Sequence, residues 1–205
     1  MPSARLRGLV GLAAAAVAAA TSGVLAWRSA AAPPLPVLAA LPPFELVAHT
    51  GLPFGSRELA GRPWIADFIF TRCAGVCPAM TARMVQLRKQ LPPEVTFVSF
   101  SVDPAGDTPE VLARYARDFR ADPPWFFVTG PQRALYALST DGFKLEAFEV
   151  PPGQREAGGD GPFLHSSKFV LVDGRQRVRG YYDSGDEAAV ARLRADVVLL
   201  QREAP

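Results

Sequence analysis

The stretch Trp64-Ile65-Ala66-Asp67-Phe68-Ile69-Phe70 limits the fold more than any other part of the chain. It is apolar at every position but one and shows no alternation, the pattern of a strand covered on both faces. Such a strand needs a sheet with further structure packed above and below it. Past a short break, Met80, Met84, Leu87 and Leu91 recur at spacings of four, three and four, the mark of one helix face. Val95–Val102 is again strand-like. Asp107-Thr108-Pro109-Glu110 then opens a second helix, with proline near its first position and Leu112, Tyr115, Ala116 and Phe119 as its apolar side.

The same alternation continues. Trp125–Val128 predicts a strand, Pro131–Leu138 a short helix and Phe143–Val150 an extended piece. Pro151–Gly161 holds Pro151-Pro152-Gly153 and Gly158-Gly159 without an apolar anchor, so it predicts a mobile loop. Lys168–Val172, the turn Asp173-Gly174 and Gln176–Tyr182 form a hairpin signal, and Asp186–Arg202 reads as a closing amphipathic helix. Ahead of the first buried strand, Phe44–Val47 and Gly51–Phe54 suggest a short N-terminal hairpin. No internal repeat is present. The order fits an α/β protein in which a thioredoxin-like central sheet, a βαβ half joined to a ββα half, is flanked by helices.

With 205 residues, 49% of them hydrophobic and 20% charged, the chain has material for one folded domain plus appendages. Of 22 basic and 20 acidic residues, Arg5 and Arg7 precede the first apolar run, so the remainder is neutral. No basic stretch follows, which argues against nucleic acid as a partner. Gly8–Trp27 is uncharged and long enough to cross a bilayer core of roughly 30 Å as a helix. Arg5 and Arg7 would hold its start in the cytoplasm. Residues 1–7 are therefore expected as a cytoplasmic tail, 8–27 as a single transmembrane helix, 28–43 as an Ala/Pro-rich spacer and 44–203 as the folded domain. A cleaved signal ending near Ala30-Ala31-Ala32 is the competing reading. Either one places the domain outside the cytoplasm, as in the periplasm of a bacterial-type inner membrane.

Cys73 and Cys77, the only cysteines, lie between the buried strand and the first helix. The helix start and the neighbouring Arg72 are expected to favour thiolate. A disulfide across so short a loop would restrict little of the unfolded chain, so a purely structural staple is disfavoured. Three intervening residues replace the two usual in thioredoxin-type exchange, leaving room for a metal, and thiolates are soft ligands suited to Cu(I). An imidazole would complete a trigonal site and help to retain Cu(II). There are two histidines. His49, before a turn of the opening hairpin, reads as a surface residue. His165 lies at a junction that a thioredoxin-like sheet can bring near the cysteines. Asp103, at a strand end before Pro104, either orients a ligand from behind, docks a partner, or is a turn residue. Met80 and Met84 are read as core by their helical spacing, and Trp125 and Phe126 also as core. Asp67, inside an apolar strand, is costly unless paired.

Taken together, three ordered motifs resemble the Sco/SenC family. They are Phe70-Thr71-Arg72-Cys73-Ala74-Gly75-Val76-Cys77-Pro78, then Ser99–Pro104 with Asp107-Thr108-Pro109, then Leu164-His165-Ser166 with Leu171-Val172-Asp173. Trp125, Thr129-Gly130 and Gly180-Tyr181-Tyr182-Asp183 follow the same pattern. The resemblance runs from about Phe44 to the last helix. It implies a thioredoxin fold adapted to copper, with Cys73, Cys77 and His165 as ligands, an N-terminal membrane helix, and a role in assembling the binuclear copper centre of cytochrome c oxidase subunit II. This chain has Ala74-Gly75 where the family often has proline and an acidic residue, giving a less acidic and less rigid loop.

Two functions share this cysteine pair. One is a copper metallochaperone that receives copper from a donor and passes it to subunit II or a similar acceptor. The other is an extracytoplasmic thiol–disulfide oxidoreductase that keeps exported cysteines reduced. Copper capture itself requires a reductant for the pair. A peroxidase of the peroxiredoxin type would need a resolving cysteine remote in sequence, and both cysteines here share one loop.

Overall fold

A computed structural model describes residues 33–73, 75–121, 123–151, 153 and 162–203. Its centre is the strand anticipated above. β4 (Trp64–Ile69) is buried at all six positions. On one flank it pairs in parallel with β5 (Thr96–Ser101), which pairs in parallel with β6 (Trp125–Thr129). On the other flank β9 (Lys168–Val172) runs antiparallel and forms a hairpin with β10 (Arg177–Asp183). β2 (Glu45–Ala48) and β3 (Pro53–Gly55) are the expected opening hairpin and extend the sheet beyond β6. With β1 (Ala39–Ala40) on the far edge, the order is β1-β10-β9-β4-β5-β6-β2-β3. A separate two-stranded ribbon joins β7 (Ala147–Glu149) to β8 (Phe163–His165).

Four helices are described, each seated by its apolar face. α1 (Val76–Arg88) buries Cys77, Met80, Thr81, Met84 and Leu87. α2 (Pro109–Asp118) has Pro109 in its first turn, and its cap residue Thr108 accepts the Val111 N–H at 3.4 Å. Leu112 and Ala116 face inward. α3 (Gln132–Ala137) is short and runs into a wide π-helical turn, Leu138–Gly142. α4 (Glu187–Arg202), capped by Asp186 at 2.8 Å from the Ala188 N–H, buries Ala189, Val190, Leu193, Val197 and Leu200. Aromatic rings fill the layer between sheet and loops. Phe68 stacks on Phe100 at 5.4 Å, and Phe143 meets Phe68 edge-on at 5.3 Å.

Three expectations need correction. The spacer ends earlier than residue 43, because Ala39 and Ala40 pair with Val178 and Arg177 and Leu41 is buried. Backbone pairing at a sheet edge asks nothing of side-chain pattern, so composition hid it. Arg179 fixes this segment by donating to the carbonyls of Leu35 and Pro36, while also pairing with Asp173 at 2.9 Å and Glu203 at 2.8 Å. His49 is half-buried rather than on the surface, and its Nδ1 accepts the Phe127 N–H at 3.2 Å across the edge of β6. Phe126 is only partly buried, stacked on Phe54 at 4.5 Å. Trp125 and the helix-spaced methionines are core, as read.

By its contacts the chain divides into Met1–Pro34 and Leu35–Pro205, and every element above belongs to the second unit. The expected tail over 1–7, the expected membrane helix over 8–27 and most of the expected 151–161 loop lie outside the described residues. Among the described residues no helix is long and apolar enough to cross a membrane.

Candidate metal centre

Three elements meet beyond the C-terminal end of β4. The chain leaves β4 through Phe70, turns at Thr71-Arg72, presents Cys73, and enters α1 with Cys77 in its first turn. The third contributor is the last residue of β8, His165. Its Nε2 lies 3.0 Å from Cys77 Sγ. The Cys77 N–H points at Cys73 Sγ over 3.5 Å, and both cysteines are free thiols. The ligand atoms of Cys73, Cys77 and His165 all lie within 4.8 Å of one another. Donors about 2.0–2.3 Å from one metal lie about 3.5–4.0 Å apart in a trigonal or tetrahedral set, so shifts of under about 1 Å bring the trio onto a single ion. Two sulfurs and one imidazole nitrogen form a soft set, the type that favours copper or zinc over calcium or magnesium.

The surroundings are apolar on the inner side. Cys77 is fully buried and Cys73 nearly so. Phe70 meets the His165 ring edge-on at 5.7 Å. Its carbonyl accepts the Cys73 N–H at 3.2 Å. Burial pushes the Cys77 thiol far above its ordinary range, so in the metal-free protein it keeps its proton. That overturns the expectation of a helix-stabilised thiolate at this position. Desolvation outweighs the helix start here, and α1 carries no side-chain hydrogen bond at its cap residue, Gly75. The Arg72 cation is also engaged elsewhere. Its Nε and Nη2 both donate to one oxygen of Asp103, at 3.0 and 2.5 Å.

Asp103 is therefore a buried partner of Arg72, not of a candidate ligand. It also accepts the Gly106 N–H at 3.1 Å, and a Cβ on Gly106 would sit 2.5 Å from its carboxylate. Asp67 is enclosed in the core, and neither carboxylate oxygen makes a hydrogen bond of good geometry. Burial raises it to about 7, partly offset by Ser99, its neighbour in the β4–β5 register. Sequence reasoning missed the grip of Asp107 on Thr71. The only trace was Asp107-Thr108-Pro109, which reads as a helix start.

The family model described as SCO1/SenC matches residues 36–197. The chain belongs to the SCO1/SenC family. A Sco1 homologue of Bacillus subtilis is 33% identical over 159 residues, spanning 76% of this chain and 79% of the relative. A candidate copper-binding protein of Stutzerimonas stutzeri is 35% identical over 151 residues, 72% of this chain and 71% of that protein. Among solved structures, BsSco belongs to the Sco family of cytochrome c oxidase assembly proteins, and a disulfide switch has been identified in it. It superposes with a TM-score of 0.69 at 30% identity, covering 82% of this chain and 98% of BsSco. The mixed α/β sheet with four helices is thus the thioredoxin-like Sco fold.

Proposed function

We propose that this SCO1/SenC protein is a copper metallochaperone that binds one copper ion through Cys73 Sγ, Cys77 Sγ and His165 and delivers it to the binuclear copper centre of cytochrome c oxidase subunit II. The observation that carries this reading is the convergence of the two sulfurs and the imidazole within 4.8 Å. Copper is favoured over zinc by kinship with the Stutzerimonas stutzeri protein and by the association of BsSco's family with oxidase assembly. The two thiols hold Cu(I), and the imidazole adds the third donor that retains Cu(II). His165 is the least buried of the three, and an acceptor can exchange ligands there first. In this reading Gly8–Trp27 tethers the domain outside the cytoplasm. Anaerobic copper titration of the reduced chain, followed by absorption and EPR, tests the assignment. One copper per chain is expected, lost in Cys73→Ala and Cys77→Ala. Full-affinity binding by the double cysteine variant refutes it.

A second reading, thiol–disulfide exchange with exported cysteines, draws support from the disulfide switch identified in BsSco. A pure exchanger has no use for the imidazole. Oxidase assembly in cells carrying His165→Ala separates the two, because activity preserved there, with each cysteine still required, favours exchange.

A further inference from the structure

Asp107 touches neither sulfur nor the imidazole, yet its side chain fastens the turn that presents Cys73. It is fully buried. One oxygen accepts the Thr71 hydroxyl at 2.6 Å, the other accepts the Ser101 hydroxyl at 2.6 Å, and both share the Thr71 N–H at 3.2 and 3.3 Å. Those donors come from the ends of two neighbouring parallel strands, and Asp107 itself stands just before the cap of α2. Thr71 is two residues ahead of Cys73. On the far side of the loop, among the described residues, Gly75 offers α1 no side-chain cap and no acidic residue lies in its first turn. Besides its own N–H bond to Phe70, the Cys73 backbone is held from the preceding turn, through Thr71 by Asp107 and through Arg72 by Asp103.

Hydrogen bonds to a carboxylate are shorter and stronger than neutral ones, and they fix direction as well as distance. An apolar residue would fill this space at lower desolvation cost. A carboxylate with its donors satisfied gives the turn one geometry, and a metal site needs that from residues behind its ligands.

We infer that Asp107 is a positioning residue for Cys73, acting through Thr71 to hold the first sulfur where it meets Cys77 and His165. The inference rests on the copper reading only in the metal-loaded half of its test.

The test uses the full-length chain in mild detergent with Asp107→Asn, Thr71→Val and Thr71→Ser. In the metal-free chain, alkylation of Cys73 is timed by mass spectrometry. In the copper-loaded chain, affinity and the Cu(II) absorption and EPR spectra are recorded, and urea midpoints are measured for all variants. Asp107→Asn and Thr71→Val should each raise the alkylation rate of Cys73 several-fold, shift the spectra, and lower copper affinity about 10- to 100-fold. Thr71→Ser, which keeps the hydroxyl, should behave as wild type, and the Asp107→Asn, Thr71→Val double variant should be little worse than either single one. A lowered urea midpoint with unchanged alkylation and unchanged spectra would overturn the inference and leave Asp107 as a fastening of the core. Should Asp107→Asn fail to fold, Thr71→Val decides by the same readouts. If the wild type takes up no copper, the chaperone reading falls while the alkylation arm still decides this one.

Discussion

Cys77 Sγ and His165 Nε2 stand 3.0 Å apart although 88 positions of sequence separate them. The contact joins the first turn of α1 to the end of a ribbon outside the main sheet. Loading copper must therefore replace a proton on a sulfur that burial keeps protonated. Calorimetric titration in buffers of different ionisation enthalpy should show proton release on copper binding and an apparent affinity that rises with pH. Equal heats in all buffers would mean that Cys77 does not bind as thiolate.

Oxidation of the pair should act as an on–off control of loading. The free thiols lie close enough to bond to each other after a small closure, and a disulfide removes both soft donors at once. Diamide treatment should abolish copper uptake, and a dithiol reductant should restore it fully. Uptake that persists after complete oxidation, scored by mass spectrometry, would contradict the ligand set.

Asp67 gives the fold a pH dependence of its own. Its folded pKa, raised to about 7, exceeds that of an unfolded aspartate, so the native state binds the proton more tightly. This contribution to stability is fully present below about pH 4, declines as pH rises, and is gone above about pH 7. Urea midpoints of wild type should fall across that window. Asp67→Asn should flatten the curve and gain roughly 1–3 kcal/mol relative to wild type at pH 8. A wild-type profile that stays level from pH 4 to 8 would contradict this reading of Asp67.

Arg179 is a buried cation shared by Asp173, Glu203 and the carbonyls of Leu35 and Pro36. Truncation would leave the Glu203 carboxylate and two carbonyls without this cation, while Asp173 would keep Arg177. Arg179→Ala should cost about 3–5 kcal/mol in urea unfolding. It should also expose the 35–41 segment to protease before the rest of the domain. A loss under about 1 kcal/mol, typical of exposed pairs, would show the cluster to be solvent-screened.

What could be read from the sequence followed from periodicity and local chemistry. Burial of Trp64–Ile69 on both faces, the α1 stripe of Met80, Met84 and Leu87, and the Thr108-Pro109 start of α2 are written in consecutive residues. The Cys73–Cys77 pair was legible for the same reason, and His165 followed from the resemblance and the scarcity of histidine. The rest depends on partners distant along the chain. Ala39–Ala40 is a strand only because β10 offers it an edge, His49 is half-buried only because β6 passes beneath it, and Thr71 matters only because Asp107 lies 36 positions on. The Cys77 thiolate was misjudged because a helix start is visible in sequence while desolvation is a property of the packed core.

Among the described residues His165 ends a ribbon of three residue pairs, Ala147–His165, Phe148–Leu164 and Glu149–Phe163, seated on the core through Ala147 and Phe163, whereas both sulfurs belong to the core itself. A two-stranded ribbon on its own is marginally stable in water. Lifting the imidazole away therefore costs the latch and not the vault. On the proposed chaperone reading, the centre steps from three donors to two while the eight-stranded sheet stays shut, so that cargo is gripped in transit and let go on contact.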